Sequence, residues 1–396
     1  MELFSIRIRR TFQLVSTIIN METIKRCNRC VLDSTVEDNT FDSDGVCKYC
    51  HIHDELERSH PVSEFQVEKL INRIKDAGRY KKYDCVCGLS GGRDSSYTLL
   101  KAVEYGLRPL VVSVDNGWGT SIADANIKNA CDILKLEPIT IKFDWNEYRD
   151  LQRSFFIAGV PDVDSPTDLA IYAALHQLAR QYKIRYILNG HSFRTEGSSP
   201  ISWSYFDPVY IKNVQNEFGT IRYDKIRSIP TITCRDLIVD TFIHRIKEVR
   251  ILEFMDYRKK DVDKELKEKL KWQDYGGHHQ ENKFTHFIQS YYLPVKFNID
   301  KRKTELSAQI RSGHITRKEA LKIIGQPYSF DQEIVDEVTA RLGFSPQLFQ
   351  SMMQEKKHSH REFKTLLSFY RLFRFPIYLV VRMKLLPQIL YLKYCQ

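Results

Sequence analysis

Two groups of residues have types and spacing that could do chemistry. Cys27-x2-Cys30 and Cys47-x2-Cys50 stand sixteen residues apart, the spacing of a structural zinc ribbon or knuckle. Each pair sets two sulfurs on one tight turn, and the intervening DSTVEDNTFDSDGV supplies polar and glycine turn residues. Four thiolates fill a tetrahedral site and leave no position for an activated water, so the expected metal clips the fold together rather than catalyses. An iron–sulfur cluster uses the same ligands and is the competing reading. His51 and His53 follow directly and are expected to be solvent-exposed rather than ligands. The second group is Ser90-Gly91-Gly92-Arg93-Asp94-Ser95-Ser96. A glycine-rich loop feeding a helix N-terminus presents unpaired N–H groups to an anion, and Gly91 and Gly92 let a phosphate approach the backbone. Ser90 and Ser95 with the amides would hold a pyrophosphate while Asp94 reaches its Mg2+. The Lys-Ser/Thr ending of a Walker loop is missing, so γ-phosphoryl transfer is not implied.

These groups need a scaffold, and the hydrophobic pattern predicts one. Strands are expected at 84–89, 109–115, 138–144 and 186–190, with helices over 95–105 and 123–136 between them. Alternating strand and helix predicts a parallel sheet whose ligand lies beyond the C-terminal strand ends. That gathers Ser90 to Ser95, Val114 to Asn116 and Asn189 to Glu196 around one crevice. Beyond Thr316 the pattern turns helical, with Asp331 and Ser345 as expected N-caps.

SGGRDS resembles the PP-loop of the ATP pyrophosphatases, which split ATP between the α- and β-phosphates and adenylate an oxygen of the substrate. The resemblance implies a PP-loop, adenine nucleotide α-hydrolase-like α/β domain with helices flanking a parallel sheet. It places Val114 and Asp115 beside the adenine and Gly190 and Ser96 in the same ATP-binding set as Ser90, Gly91, Gly92, Asp94 and Ser95. Glu196, in NGHSFRTEG, stands after its strand much as a metal-binding glutamate does in the related NAD synthetases, which pairs it with Asp94 as a magnesium ligand; a surface carboxylate is the alternative.

A longer run of blocks is more specific. CNRC and CKYC, SGGRDSS, VDNGW, NGHSFRTEG, DYGGHHQEN and LPVKFNIDKRKTELSAQIRSGHITRKEAL occur in an order similar to the N-acetyl sugar amidotransferase family of the WbpG and PseA type, over residues 22 to 325. The resemblance implies ATP-dependent conversion of an acetamido group of a nucleotide-activated sugar to an acetamidino group, in lipopolysaccharide O-antigen or other surface-glycan biosynthesis. An amide oxygen leaves poorly, so its attack on the ATP α-phosphate would first give an O-adenylyl imidate and pyrophosphate; ammonia then adds and AMP leaves. Lys301, Arg302 and Lys303 in IDKRK are expected to neutralise the charge that builds on the phosphates, the alternative being a solvated basic helix start. His279 and Glu281 are expected to position the acetamido group and move protons. His278 and Asn282 depart from the lysine and serine usual in the family. The chain has no glutaminase nucleophile elbow and no cysteine after Met1 or Met21, which points to a separate glutaminase subunit as the ammonia source.

Charge and composition narrow the classes. The chain has 396 residues and a formal charge of +10. The excess sits at the ends, +4 in residues 1 to 30 and +8 in residues 356 to 396, which leaves −2 between them. A near-neutral body argues against a nucleic-acid partner and for a small anionic substrate. The enzyme alternative, a tRNA-thiolating PP-loop protein, would need a basic RNA face and a catalytic cysteine pair after the loop, and no C-x2-C follows Ser95. Nine cysteines, four of them in one array, fit a reducing cytoplasm. The expected divisions are residues 1–21 as an extension or disordered start, 22–60 as the zinc element, 61–235 as the ATP-binding domain, 236–355 as a substrate-binding and helical region, and 356–396 as a basic, apolar tail. Pro376, Arg382, Lys384 and Pro387 interrupt every stretch of that tail long enough to span a bilayer. Two readings of it stay open: an interfacial helix on the inner membrane face, or, favoured, a helix docked on the protein's own core.

Overall fold

A computed structural model describes residues 24–277, 280–328 and 330–395. Residues 24 to 47 are irregular, held by antiparallel bridges Arg26 to Asp33 and Phe41 to Cys47. Helix α1 (Lys48–Ser59) starts immediately after Cys47, so Cys50 lies in its first turn. Helix α2 (Glu64–Gly78), capped by Ser63, leads into the sheet.

The sheet builds as strand β1 (Cys85–Gly88), helix α3 (Arg93–Glu104), β2 (Pro109–Asp115), α4 (Ser121–Leu134) and β3 (Ile139–Lys142). Two helices, α5 (Trp145–Ile157) and α6 (Ser165–Gln181), precede β4 (Tyr186–Leu188). Helices α7 (Pro208–Phe218) and α8 (Cys234–Val239) lead to β5 (Lys247–Val249). All five strands are parallel in the order β3-β2-β1-β4-β5. The chain therefore reverses its direction of travel at the β1/β4 pair, where an open α/β sheet leaves a crevice at its C-terminal edge. Strand side chains alternate between two apolar layers, as the two-residue period requires. Cys85, Cys87 and Leu188 pack with α2, α3 and α9 (Lys259–Leu270), while Val86 and Ile187 pack with Leu178 and Ala179 of α6. Strand β5 lies inside the segment expected to bind substrate and had no counterpart in the sequence pattern.

A helical half follows: α10 (Lys283–Phe287) with its π-helical continuation over Ile288–Phe297, α11 (Arg302–Arg311), α12 (Arg317–Ile324), α13 (Gln332–Arg341) and α14 (Pro346–Gln354). Asp331 and Ser345 cap α13 and α14 through Glu333 N–H and Leu348 N–H, as expected. The basic tail forms α15 (Leu367–Leu372), α16 (Arg374–Arg382) and α17 (Gln388–Tyr394). Its last helix docks: Leu392 and Cys395 are buried, Gln388 donates to Glu55 at 3.2 Å, and Lys393 Nζ donates to the Ser204 carbonyl at 3.3 Å. This α/β architecture, with an N-terminal four-cysteine element and a helical C-terminal region, is the one expected. Among the described residues no helix is long and apolar enough to cross a membrane. The expected extension over residues 1–21 lies outside the described residues.

Candidate active site

The loop after β1 is shaped by its glycines. Gly91 has φ +78°, and a Cβ there would meet the Ala123 carbonyl oxygen at 2.3 Å, so only glycine fits against the start of α4. The Gly91 carbonyl accepts from Asn126 Nδ2 and Trp272 Nε1, both at 3.1 Å. Ser90 N–H donates to Ser95 Oγ at 3.2 Å, the two hydroxyls lie 3.1 Å apart, and Gly92 N–H donates to Ser90 Oγ at 3.3 Å. Ser90 and Ser95 thus fix each other at the N-terminus of α3, while Ser96 is buried within that helix. Gly190 follows β4 and packs directly on this turn: a Cβ would stand 2.8 Å from the Asp94 carbonyl group.

That contact brings Glu196 to Asp94. Asp94 is the acceptor of the Tyr257 hydroxyl. Burial pushes its carboxyl up to about 7, and the neighbouring Glu196 charge adds to the rise against Tyr257 and Lys259. The two carboxylates brought together here are hard oxygen donors of the kind a divalent cation takes. His191 bonds the other side of Glu196. Arg194 and Phe193 pin this loop: Arg194 Nη2 donates to Glu57 at 2.9 Å and to the His60 carbonyl at 2.6 Å, and Phe193 meets His53 edge-on at 5.1 Å. His53 is therefore buried rather than solvent-exposed, and burial pushes its pKa down to about 3, while His51 is exposed and pairs with Asp42 at 2.8 Å.

Glu281 reaches the same place from the helical half. Its carbonyl accepts Thr120 N–H at 3.1 Å, Lys283 N–H donates to the Trp118 carbonyl at 2.9 Å, and Gly119 bridges Asn282. This short ladder against the VDNGW turn sets a Glu281 carboxylate oxygen 3.0 Å from where a Gly92 Cβ would be. Asn282 caps α10 through Phe284 and Thr285 N–H. His279, with His278, lies outside the described residues. At the end of β2, Val114 is half-buried and Asp115 exposed, its carboxylate accepting Gly117 N–H at 3.0 Å.

The three cations of IDKRK part company. Lys301 Nζ donates to Ser199 Oγ at 3.3 Å; burial lowers its pKa against the opposing pull of Asp164, Asp168, Asp162 and Glu196. Arg302 instead bonds Asp300 at 2.7 Å and the Gln326 carbonyl at 3.0 Å and stacks over Tyr328 at 4.3 Å. Lys303 pairs with buried Asp33 at 2.8 Å. Lys301 joins a cavity of 550 Å³ that opens beside Glu196 and is also lined by His191, Ser199, Arg250 and, from the tail, Lys393. Burial pushes Lys393 down to about 8, with Lys301 beside it and Asp38 opposing. Tyr257, Arg250 and Lys393 were not singled out from the sequence; each arrives from a distant segment with no motif around it.

The four cysteine sulfurs are buried and lie within 4.8 Å of one another. Cys27 Sγ accepts from the N–H groups of Arg29, Cys30 and Cys47 at 3.3–3.4 Å, and Arg311 donates to Cys50 at 3.3 Å and Cys30 at 3.4 Å. Hydrogen bonds from the Cys27, Cys47 and Cys50 thiols, with the Arg311 charge, drive the Cys30 thiol well down. A soft, closed four-sulfur set fits Zn2+. The knuckle is tied to α11 and α12 by Arg317, which donates to the Cys27 and Cys30 carbonyls at 2.9 and 3.0 Å, and by Val31 N–H on Ser307 Oγ at 3.3 Å.

Residues 281–374 match the family model described as LPS biosynthesis protein WbpG-like, C-terminal domain, so the chain carries a WbpG-like domain over α10 to α15. No curated protein matches the chain. Among solved structures it is similar to an NMN synthetase from Francisella tularensis, at 13% identity and a TM-score of 0.30, with 75% of this chain and 98% of that one covered.

Proposed function

We propose that this protein is an ATP-dependent amidotransferase that converts an acetamido group of a nucleotide-activated sugar to an acetamidino group in surface-glycan biosynthesis. The observation that carries the reading is the meeting, at the C-terminal edge of the sheet, of the Ser90–Ser95 turn, the Asp94–Glu196 carboxylate pair and Glu281 from the WbpG-like domain. The turn offers hydroxyls and helix-terminal amides to the β- and γ-phosphates of ATP. Asp94 and Glu196 would hold Mg2+, which draws charge from the phosphates when bound.

The acetamido oxygen attacks the α-phosphate and expels pyrophosphate; ammonia adds to the activated carbon, loses a proton, and AMP leaves with the former amide oxygen. Lys301, held in the cavity next to Glu196, stabilises the negative charge that develops in the first step. Glu281, with His279 two residues before it, receives the protons that ammonia sheds. Arg250, Lys301 and Lys393 give the cavity the positive lining that a nucleotide diphosphate needs. Ammonia comes from a separate glutaminase.

The test is mass spectrometry of purified protein with ATP, Mg2+, ammonium and a panel of nucleotide-activated diacetamido sugars, with Asp94→Ala as control. Exchange of an oxygen for NH in the sugar, coupled to AMP release and lost in the control, supports the reading. AMP release with an RNA substrate and an unchanged sugar panel overturns it.

A further inference from the structure

Among the described residues, one face of the middle of the tail has little protein cover. Between Phe369 and Lys384, Leu372 is 78%, Phe375 67% and Met383 65% exposed, with Phe369, Phe373, Tyr378 and Leu379 exposed beside them. Tyr370, Ile377, Val380 and Val381 are half-buried and turn toward the last helix, where Tyr370 and Tyr378 meet Tyr394 and Tyr391. Arg371, Arg374 and Arg382 are exposed on the same two short helices, and Lys384 is exposed in the turn that follows. Residues 363 to 395 contain no Asp or Glu. A soluble monomer rarely leaves so many large apolar side chains together, and a partner for this face must tolerate arginines spaced through it.

We propose that α15, α16 and the turn to Lys384 form an interfacial anchor for an anionic lipid bilayer. Charge complementarity selects this occupant. Phosphate headgroups meet the four cations while Leu372, Phe375 and Met383 enter the acyl boundary, an arrangement that needs no acidic residue on the protein. A second copy of the chain would set like charges against each other across the interface. Residues 1–23, which lie outside the described residues, carry three arginines against two glutamates and would not neutralise the surface either. The helices are too short to span, so the contact is one of lying on the surface. Through Pro387 the anchor runs directly into α17, whose Leu390 and Lys393 line the 550 Å³ cavity, so the bilayer lies beside the cavity's tail-built wall. The proposal rests on no part of the catalytic reading.

Flotation of the full chain with vesicles tests it, using phosphatidylcholine alone and phosphatidylcholine with phosphatidylglycerol in equal parts. The expected result is co-flotation with the mixed vesicles only, weakening as salt rises. Leu372→Glu with Phe375→Glu should cut the bound fraction about tenfold or more. An unchanged thermal midpoint is expected, because both side chains face solvent. Arg371→Gln with Arg374→Gln should reduce binding to the mixed vesicles while leaving the fold intact. Absence of flotation with the anionic vesicles overturns the proposal. So does a dimer in sedimentation that the Leu372→Glu, Phe375→Glu variant dissociates, which would assign the face to a second copy.

Discussion

Lys303 Nζ lies 2.8 Å from the Asp33 carboxylate, joining the helix that begins beside the candidate active site to the four-cysteine knuckle across 270 residues of chain. Burial, which acts to raise the Asp33 carboxyl, is outweighed by Lys303 and by Thr35, so its pKa is lowered. Lys303→Ala leaves that carboxylate buried with Thr35 alone, at a cost of about 3 kcal/mol. A denaturant midpoint should show the loss. Because the folded pKa is depressed, the pair's contribution is present above the unfolded value and disappears as pH falls through the folded one, so wild type and variant should converge in acid. Activity per folded molecule should survive.

Gly190→Ala places a Cβ 2.8 Å from the Asp94 carbonyl carbon and oxygen, where no flexible side chain can yield. The β4 loop must move off the start of α3, taking Glu196 with it. We expect about 1–3 kcal/mol of destabilisation and a loss of about a hundredfold in kcat/KM, since a small misplacement of catalytic groups costs that much. A variant that keeps full ATP-dependent turnover would contradict the close approach.

The Asp94–Glu196 pair predicts a pH dependence of magnesium binding. The Asp94 carboxyl is raised to about 7, so below that pH a proton competes with the cation. Calorimetric Mg2+ affinity should fall about tenfold per pH unit below the titration and level off above it. The raised pKa also means that the neutral form stabilises the metal-free fold in acid, an advantage lost as pH rises through about 7. Asp94→Asn should therefore raise the metal-free thermal midpoint at pH 8 while abolishing Mg2+ binding.

Arg311→Leu removes the two donors to Cys30 and Cys50. Loss of such a partner typically lowers metal affinity about 10–100-fold, measurable by chelator competition on the zinc-loaded protein. Stripping the metal altogether should lower the thermal midpoint of wild type, because binding energy at a structural site is folding energy.

Much of this was legible in local sequence. The cysteine array and the SGGRDS turn are short-range patterns whose geometry follows from their own backbone, and β1 to β4 read as apolar runs. Strand β5 did not, since Lys247–Val249 is three half-buried residues that pair, among the described residues, with β4 alone. The IDKRK cluster read as one basic group. Entry into α11 turns successive side chains by about 100°, so Lys301 and Arg302 both line the cavity, Arg302 while paired with Asp300, and Lys303 turns away to Asp33. His53 looked like a surface residue because nothing nearby announces Phe193, which comes from a loop over a hundred positions later. Tyr257 likewise reaches Asp94 through tertiary packing that no spacing encodes. The tail's basic, apolar composition suited both docking and exposure, and the structure divides it between the two.

The links from Cys27, Cys30 and Val31 to Ser307 and Arg317 span 276 to 290 residues. A nascent chain exposes all four thiols early, yet the groups that brace them emerge only after the whole sheet has been made. At about 5–20 residues per second, that interval is of order ten seconds or more. During it the knuckle's own turns are its only support, and its ion, if already captured, is held without Arg311. Closing contacts of such sequence separation is slow. A metal taken by the four thiolates would thus meet the growing polypeptide first as a loose clasp on the ribosome and again, locked, once the last third of the chain has arrived.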